Sequence, residues 1–246
     1  MPKLCSDYRL CDRTAPKIMS SVQAVLHAMV KSKERKASKA RIQQFHHALL
    51  PYIASLFADG SNRIERYVTG KVKKAAPVIP GFGADLEWTL PDIDDWTWNI
   101  ASSSTASLAD EINDALLDLG EDATLGERGE ELERLLGLST NKARMIARTS
   151  SIWAYNEGSL DAMEEMGVQV VEWQTGGDDL VCPFCSALNG VRVELGTPFA
   201  EGGVELEVEG TNAKGKSVTL SMTPYLDVYH PPLHPNCRCA MLPVIK

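Results

Sequence analysis

Two short cysteine-containing segments near the C-terminus constrain the fold of this chain more than any other feature. The first is Cys182–Cys185, with the sequence CPFC, and the second is His234–Cys239, with the sequence HPNCRC. Each segment can hold one ion from a tight turn, and together they offer the four nitrogen and sulfur ligands of tetrahedral zinc. Two disulfides, or buried free thiols that only pack, are the alternatives. The spacing favours a metal site around which a small domain folds.

The start of the chain bears on the redox state of these thiols. It lacks the apolar core of a signal peptide, and no segment approaches the roughly 18 uncharged apolar residues of a membrane span. We therefore expect the host cytoplasm, where thiols stay reduced, and no membrane partner. Cys5 and Cys11 have no chelating partner near them in the sequence and are expected to be free thiols.

Charge is unevenly distributed along the chain. Residues 1–76 contain 15 Lys+Arg and 5 Asp+Glu, whereas residues 77–246 contain 10 basic and 28 acidic residues, and the net charge is −8. A basic module ahead of an acidic body favours a contact of residues 1–76 with double-stranded DNA or with an acidic protein. A solvated helix surface is the alternative, because no interleaving of aromatic and basic residues marks a dedicated nucleic-acid fold.

Helical periodicity runs through the basic module. Apolar residues spaced three and four apart predict one helix that ends near Ser32 and another over residues 40–57. Pro51 should kink or split the second helix. The sequence Asp59–Ser61 predicts a turn and a cap, followed by a third, basic helix over residues 62–76.

A proline- and glycine-rich segment, residues 77–91, predicts a hinge, because it has no periodicity and coincides with the reversal of charge. It separates the basic helical module, residues 1–76, from an acidic helical segment, residues 92–138. A helix in that segment is expected to stop at Gly137. Residues 139–246 are expected to form the C-terminal domain.

The C-terminal domain is predicted to combine one long helix with short strands. A cap at Ser139 or Thr140 begins the long helix, which ends near Met166. Alternating β-branched residues then predict strands at residues 168–173, 191–194, 204–208 and 217–222. The fold class is thus α+β: a helical N-terminal region followed by a small α+β domain with a long helix, β-hairpins and a zinc-knuckle-like Cys/His site.

Several residues of this domain are candidates for a structural role. Arg144 and Arg148 lie four residues apart and share one face of the long helix, and Asn156 lies about two turns beyond. The apolar neighbours of the two arginines favour pairing with carboxylates or backbone carbonyls over free solvation. Trp173 and Asp178 lie between this helix and the first cysteine pair.

A series of short motifs follows this helix in a fixed order. The motifs are Arg148-Thr149, Asn156-Glu157-Gly158, Glu172-Trp173, Asp178-Asp179, Cys182–Cys185, Leu188-Asn189-Gly190 and Pro231–Cys239. In this order they resemble the phage Mu F-like head-morphogenesis family, over about residues 139–243. The final motif is the most specific of them.

The resemblance implies a minor capsid protein of a tailed bacteriophage or prophage, present in low copy inside the head. Family members have been linked to the portal protein, to DNA binding and to packaging or ejection. The expected location is the virion, with the host cytoplasm during assembly. Because the family often has serine at the position of Cys239, the resemblance implies Cys182, Cys185, His234 and Cys237 as zinc ligands, with Cys239 as the substitute.

No enzymatic activity is expected. A closed site of three cysteines and one histidine leaves no open coordination position, and the motifs of zinc deaminases, P-loop proteins and α/β-hydrolases are absent from the sequence. Ser150 stands where the family often has an acidic residue, which argues against a shared active site on the long helix. Two alternatives stay open: a cryptic enzyme that uses Arg148, Asn156 and Asp178, and a host zinc-containing DNA-binding protein, against which the acidic body argues.

Overall fold

The structure, a computed structural model, describes residues 9–71, 90–119, 123–177, 180–211 and 216–245. Its elements, in chain order, are α1 (Arg9–Ser32), α2 (Lys39–Lys71), α3 (Leu90–Leu119), α4 (Leu125–Glu165), β1 (Val170–Gln174), α5 (Pro183–Leu188), β2 (Arg192–Glu194), β3 (Leu206–Thr211), β4 (Ser217–Met222) and β5 (Ala240–Pro243). Long helices followed by small antiparallel sheets confirm the predicted α+β class. In the described part of the chain, no helix combines the length and the apolar character that a membrane crossing requires.

The chain forms two compact units, and α2 and α4 each contribute to both. The helical unit contains α1 from Asp12, α2 to Ser55, α3, and α4 to Ala147. The mixed unit contains α2 from Leu56, α4 from Arg148 and all of the strands. The predicted hinge at residues 77–91 lies outside the described residues except for its last two positions, and the division of the chain into consecutive segments stays a prediction.

Apolar side chains at helical spacing hold the helical unit together. Its most completely buried large side chains are Ile18, Leu26, Met29, Phe45, Leu49, Ile53, Leu108 and Ile112. Burying one such side chain contributes about 1.5–3 kcal/mol. Polar contacts then set the pairing of the helices: Gln23 of α1 donates to Thr140 Oγ1 of α4 at 3.0 Å, and Lys142 of α4 binds Glu111 of α3 at 2.9 Å.

The predicted break in the second helix is wrong, because α2 continues through both Pro51 and Asp59–Ser61. Pro51 removes one backbone hydrogen bond, but the buried side chains of Leu49 and Ile53 on either side keep the helix packed. Gly60, which reads as a turn residue in the sequence, serves a tertiary contact instead.

That contact is a backbone-to-backbone approach of α2 and α4 in the mixed unit. A Cβ added at Gly60 would meet the carbonyl oxygen of Tyr155, and one added at Gly158 would meet that of Phe57. Both distances fall well below 3.0 Å, a separation that real Cβ atoms essentially never show. Ser61 Oγ then donates to the carbonyl of Gly158 at 2.7 Å. The two helices can touch here only because each has a glycine at the contact.

The predicted cap of the long helix is also wrong. Ser139 and Thr140 lie inside α4, where both hydroxyl groups donate to the carbonyl of Leu136 one turn earlier. The helix begins instead with a capping box. Thr124 Oγ1 accepts from the backbone N–H of Glu127 at 3.2 Å, and Glu127 Oε2 accepts from the backbone N–H of Thr124 at 2.8 Å.

Two small antiparallel sheets follow α4. The first has the strand order β2-β1-β5, with Val171 opposite Val193 and Trp173 opposite Met241. The second is the predicted hairpin of β3 and β4. The short helix α5 and the strand β5 were not predicted. Trp173 of the central strand is fully buried and packs edge-on against Phe199, with ring centroids 5.2 Å apart.

The glycine contact gives a test with a matched control in the same helix. We expect Gly158→Ala to destabilise the protein by more than about 2 kcal/mol, because the added methyl group must push the backbones of two helices apart. Gly137 also lies inside α4, but a Cβ there would meet nothing within 4 Å. Gly137→Ala should therefore stabilise the protein by about 0.5–1 kcal/mol. Thermal unfolding followed by circular dichroism measures both, and equal melting temperatures for the two variants would contradict the assignment.

Candidate metal centre

The first cysteine pair is organised by the start of α5. Cys182 is the N-cap of this helix, and its Sγ accepts a hydrogen bond from the backbone N–H of Cys185 at 3.3 Å. Pro183 occupies the first helical turn, where its missing N–H costs nothing. One turn of helix thus places the two sulfur atoms on the same side of the chain.

The second segment turns sharply between its histidine and its cysteines. The backbone N–H of Cys237 donates to the carbonyl of His234 at 3.1 Å. Asn236 takes a left-handed backbone conformation, with φ of 63°, which asparagine tolerates better than most residues. Its N–H donates to Thr149 Oγ1 of α4 at 3.0 Å. The side chain of Thr149, on α4, therefore fixes the turn that brings His234 and Cys237 close to Cys182 and Cys185.

The two segments meet in one cluster. His234 Nε2 lies 3.0 Å from Cys182 Sγ and 3.2 Å from Cys185 Sγ, and Cys185 Sγ lies 3.8 Å from Cys237 Sγ. Tetrahedral zinc with Zn–S bonds of about 2.3 Å requires sulfur atoms about 3.8 Å apart. Cys182, Cys185 and His234 form one group whose ligand atoms lie within 4.8 Å of one another, and Cys185, Cys237 and Cys239 form a second group that shares Cys185 with the first. The Cys/His groups of the structure can therefore hold a metal ion.

The orientation of His234 favours a role as a ligand. Its Nδ1 lies 2.8 Å from the carbonyl oxygen of Pro235, which can only accept a hydrogen bond. Nδ1 must therefore carry the proton, and the lone pair of Nε2 faces the two sulfur atoms. Metal-binding histidines are usually oriented by this kind of hydrogen bond from the other ring nitrogen.

Cys239, the substitute ligand of the sequence analysis, lies on the buried side of the cluster. It forms a group with Cys185 and Cys237 in which all three sulfur atoms lie within 4.8 Å of one another. The hydrogen bond from Cys185, together with one from Cys239, lowers the pKa of Cys237, whereas the hydrogen bond to Cys237 raises the pKa of Cys185. Cys182, Cys185, Cys237 and Cys239 form no disulfide bond. The cluster thus contains one more potential ligand than a tetrahedral ion needs.

Asn156 connects this cluster to α4. Its side chain is fully buried, its Nδ2 donates to the carbonyl of Cys239 at 3.3 Å, and its Oδ1 accepts from the backbone N–H of Met241 at 2.9 Å. One amide group therefore satisfies two backbone groups of the segment that runs from the metal cluster into β5. Trp173 of β1 pairs with Met241, so the sheet and the helix hold this segment from two sides.

The other predicted residues lie elsewhere. Arg144 and Arg148 are exposed on α4, and Arg144 donates to Asn141 Oδ1 at 3.2 Å, so their pairing with carboxylates stays a prediction. Asp178, Cys5 and the side chain of Cys11 lie outside the described residues.

Sequence reasoning missed a second histidine contact beside α4. His230 Nε2 lies 2.5 Å from Glu157 Oε2, and its Nδ1 lies 2.6 Å from the carbonyl oxygen of Pro231. Both ring nitrogens of His230 therefore face hydrogen-bond acceptors, a carboxylate and a carbonyl. Glu157 belongs to the motif Asn156-Glu157-Gly158, but nothing in the sequence indicates that this carboxylate pairs with His230. The pair attaches the segment before the second turn to the helix.

Comparison with known proteins identifies one match. The family model described as Phage Mu protein F like protein matches residues 108–242. The match starts at residue 108, within α3, rather than at residue 139, and it includes every residue of the metal cluster. No curated protein and no solved structure matches the chain.

Asn156 gives a second test. Replacing it with alanine leaves the N–H of Met241 and the carbonyl of Cys239 without partners, so we expect Asn156→Ala to lower the free energy of unfolding by about 2 kcal/mol or more. Asn141, on the exposed side of the same helix, is the control, and Asn141→Ala should change stability by less than about 0.5 kcal/mol. Denaturant unfolding measures both. A similar loss in the two variants would show that the amide of Asn156 does not hold the β5 segment.

Proposed function

The chain belongs to the family of Phage Mu protein F like proteins, and we infer from this that it takes part in phage head morphogenesis. The family model covers more than half of the chain, including α4, both sheets and the Cys/His cluster. Within this role we propose a minor capsid protein of a tailed bacteriophage or prophage, carried in low copy inside the head.

We propose that the Cys/His cluster binds structural zinc. The observation that carries this is the position of His234, whose Nε2 lone pair faces the sulfur atoms of Cys182 and Cys185. In addition, the sulfur atoms of Cys185 and Cys237 lie 3.8 Å apart, the separation of two sulfur ligands of tetrahedral zinc. Cys182, Cys185, His234 and Cys237 would be the ligands. The mixed unit has small sheets, so a metal ion that ties two loops together would contribute much of its stability.

A role without catalysis fits this ligand set. Four protein ligands fill the coordination sphere of zinc and leave no position for a water molecule or a substrate. We therefore propose that the metal has a structural role and not a catalytic one. In a head protein, such a site would keep the mixed unit folded through assembly.

The portal protein and DNA are the proposed partners, and the turn between α1 and α2 is the proposed DNA contact. It contains five exposed basic residues within nine positions of sequence: Lys31, Lys33, Arg35, Lys36 and Lys39. Glu34, the acidic residue among them, is bound by Arg41, so its charge is offset. A compact group of exposed cations is the usual electrostatic contact with phosphates.

Zinc binding can be tested on the purified chain. We expect one zinc ion per chain by elemental mass spectrometry, and a strong chelator should increase hydrogen exchange selectively in residues 170–243, because about 10 kcal/mol or more of apparent binding free energy would be lost. His234→Ala and Cys237→Ser should lose the metal, whereas Cys239→Ser should retain it.

His47, an exposed histidine of α2, provides the control, since His47→Ala should keep the full zinc content. An absence of zinc together with unchanged hydrogen exchange after chelation would refute the structural metal. Loss of zinc in Cys239→Ser but not in Cys237→Ser would still support a structural zinc site, but with Cys239 rather than Cys237 as the fourth ligand.

The head role is tested on purified particles of the phage that encodes this chain. Mass spectrometry should detect the chain in procapsids and virions at a small fraction of the copy number of the coat protein. Cross-linking in the same particles should connect it to the portal protein, and cross-links to DNA should map to Lys31, Lys36 or Lys39. If the chain is missing from both kinds of particle, it is not a head component.

A further inference from the structure

Two loops of the mixed unit present an exposed apolar patch, formed by Val204, Tyr225, Leu226 and Tyr229. Their relative exposures are 47%, 95%, 70% and 41%. Most exposed apolar side chains are scattered singly and need no explanation. These four instead lie on two loops that are hydrogen-bonded to each other, so their backbones lie close together.

The loops that carry the patch are held in place. Gly203 N donates to the carbonyl of Pro224 at 2.8 Å, and Gly202 N donates to Asp227 Oδ1 at 2.8 Å. A Cβ added at Gly202 would lie 2.7 Å from the carbonyl carbon of Leu226, so only glycine allows the loops to come this close. Gly203 also has φ of 75°, a conformation that favours glycine.

An aromatic side chain that is exposed to solvent on an ordered loop is typical of a docking surface. Tyr225 protrudes from a loop whose backbone is already ordered, so burying it against a partner costs little conformational entropy. Tyrosine is also enriched among the residues that dominate binding energy. Folding alone does not explain this patch, because its side chains remain exposed in the folded chain.

The surroundings of the patch are acidic. Glu201, Glu205 and Asp227 are exposed on the same loops, and the loop segments 199–205 and 223–229 contain no lysine or arginine. A partner that covers the patch must therefore offer an apolar recess with basic groups around it.

The helical unit of the same chain contains a recess of this kind. A cavity of about 460 Å³ has Val30, Ile112 and Leu135 among its lining residues, and Lys33, Arg35 and Arg128 contribute basic groups. Glu131 also lines it, but its carboxylate is bound by Arg134. The volume falls within the range of about 300–1,000 Å³ in which pockets bury small ligands, so side chains of the size of Tyr225 and Leu226 can enter.

We propose that the apolar patch of one copy of this chain docks into the basic-rimmed cavity of a second copy. Tyr225 and Leu226 fill the cavity, and Glu201, Glu205 and Asp227 face Lys33, Arg35 and Arg128. The contact is heterologous, since it joins two different surfaces. In a pair of copies, the first then has a free cavity and the second a free patch, and each of these can bind a further copy. The proposal does not depend on the metal or on the head role.

The size of the two surfaces sets the expected strength. Four side chains and one cavity bury less than the roughly 800 Å² per partner of a standard stable interface, so a weak contact is expected. Sedimentation velocity from about 5 to 200 µM covers the micromolar range. The weight-average mass of the wild-type chain should rise with concentration above its monomer mass of 26.9 kDa, and the rise should diminish at high salt.

Two variants separate the two surfaces. The patch variant Tyr225→Asp/Leu226→Asp and the cavity variant Lys33→Glu/Arg35→Glu should each weaken self-association roughly tenfold or more. A 1:1 mixture of the two should form a dimer that neither forms alone, because one intact cavity and one intact patch remain. Circular dichroism checks that both variants are folded. If the patch variant is unfolded, Tyr225→Ser is used in its place, and if the cavity variant is unfolded, Arg35→Ala is used.

Matched changes elsewhere serve as controls. Lys36→Glu/Lys39→Glu reverses two charges of the same α1–α2 turn that do not line the cavity, and Leu180→Asp changes another exposed leucine, at 76% exposure. Both should associate as the wild type does. A wild-type chain that stays monomeric at 200 µM, or a cavity variant that still associates normally, would overturn the proposal. A 1:1 mixture that stays monomeric would overturn it as well.

Discussion

The side-chain amide of Asn156 is the interaction on which the arrangement of the mixed unit depends. It lies within α4 and satisfies backbone groups of Cys239 and Met241, and so fixes the segment that leaves the metal cluster and becomes β5. Thr149, two turns earlier on the same helix, fixes the turn at Asn236. One helix face therefore sets the position of the second ligand segment. The first ligand segment is positioned independently by the start of α5.

The close contact of α2 with α4 supports this helix from another direction. Gly60 and Gly158 let the two backbones touch, and Gly158 lies two residues beyond Asn156. The motif Asn156-Glu157-Gly158 thus has three separate structural tasks: binding the β5 segment, pairing with His230, and admitting α2. These tasks account for a conspicuous part of the family resemblance in structural terms.

A structural metal and a head-assembly role are mutually consistent. A protein that is packed into a particle benefits from a unit that stays folded with small sheets, and a metal that ties two loops together provides this stability. The basic α1–α2 turn is proposed to meet phosphates, and two of its residues, Lys33 and Arg35, are also proposed to meet the acidic, apolar loops of a second copy. In the function proposed above, the metal site would stabilise the mixed unit, and other surfaces would make the contacts with partners.

The sequence by itself determined the local elements and the chemistry of the cluster. Alternation of β-branched residues located three of the strands, at 170–174, 192–194 and 217–222, and half of a fourth at 206–211. The CPFC and HPNCRC motifs pointed to His234 and the cysteines, which lie close together in the structure. The capping box of Thr124 and Glu127 is a local pattern too, although the predicted start of the long helix lay at Ser139 or Thr140. These features depend on neighbours in the sequence, so a local pattern is sufficient to reveal them.

Only the tertiary structure decided what the glycines and the polar residues of the long helices do. Gly60 resembles a turn residue until α4 is seen against it, and Ser139 resembles a cap until its hydroxyl is seen bonded to the preceding turn. Strand β5 has too few residues to be recognised without its partner β1. The hydrogen bond from Met241 to Asn156, 85 positions away in the sequence, cannot be predicted from any local pattern either. Contacts between distant segments are set by packing and by the need to satisfy buried backbone groups.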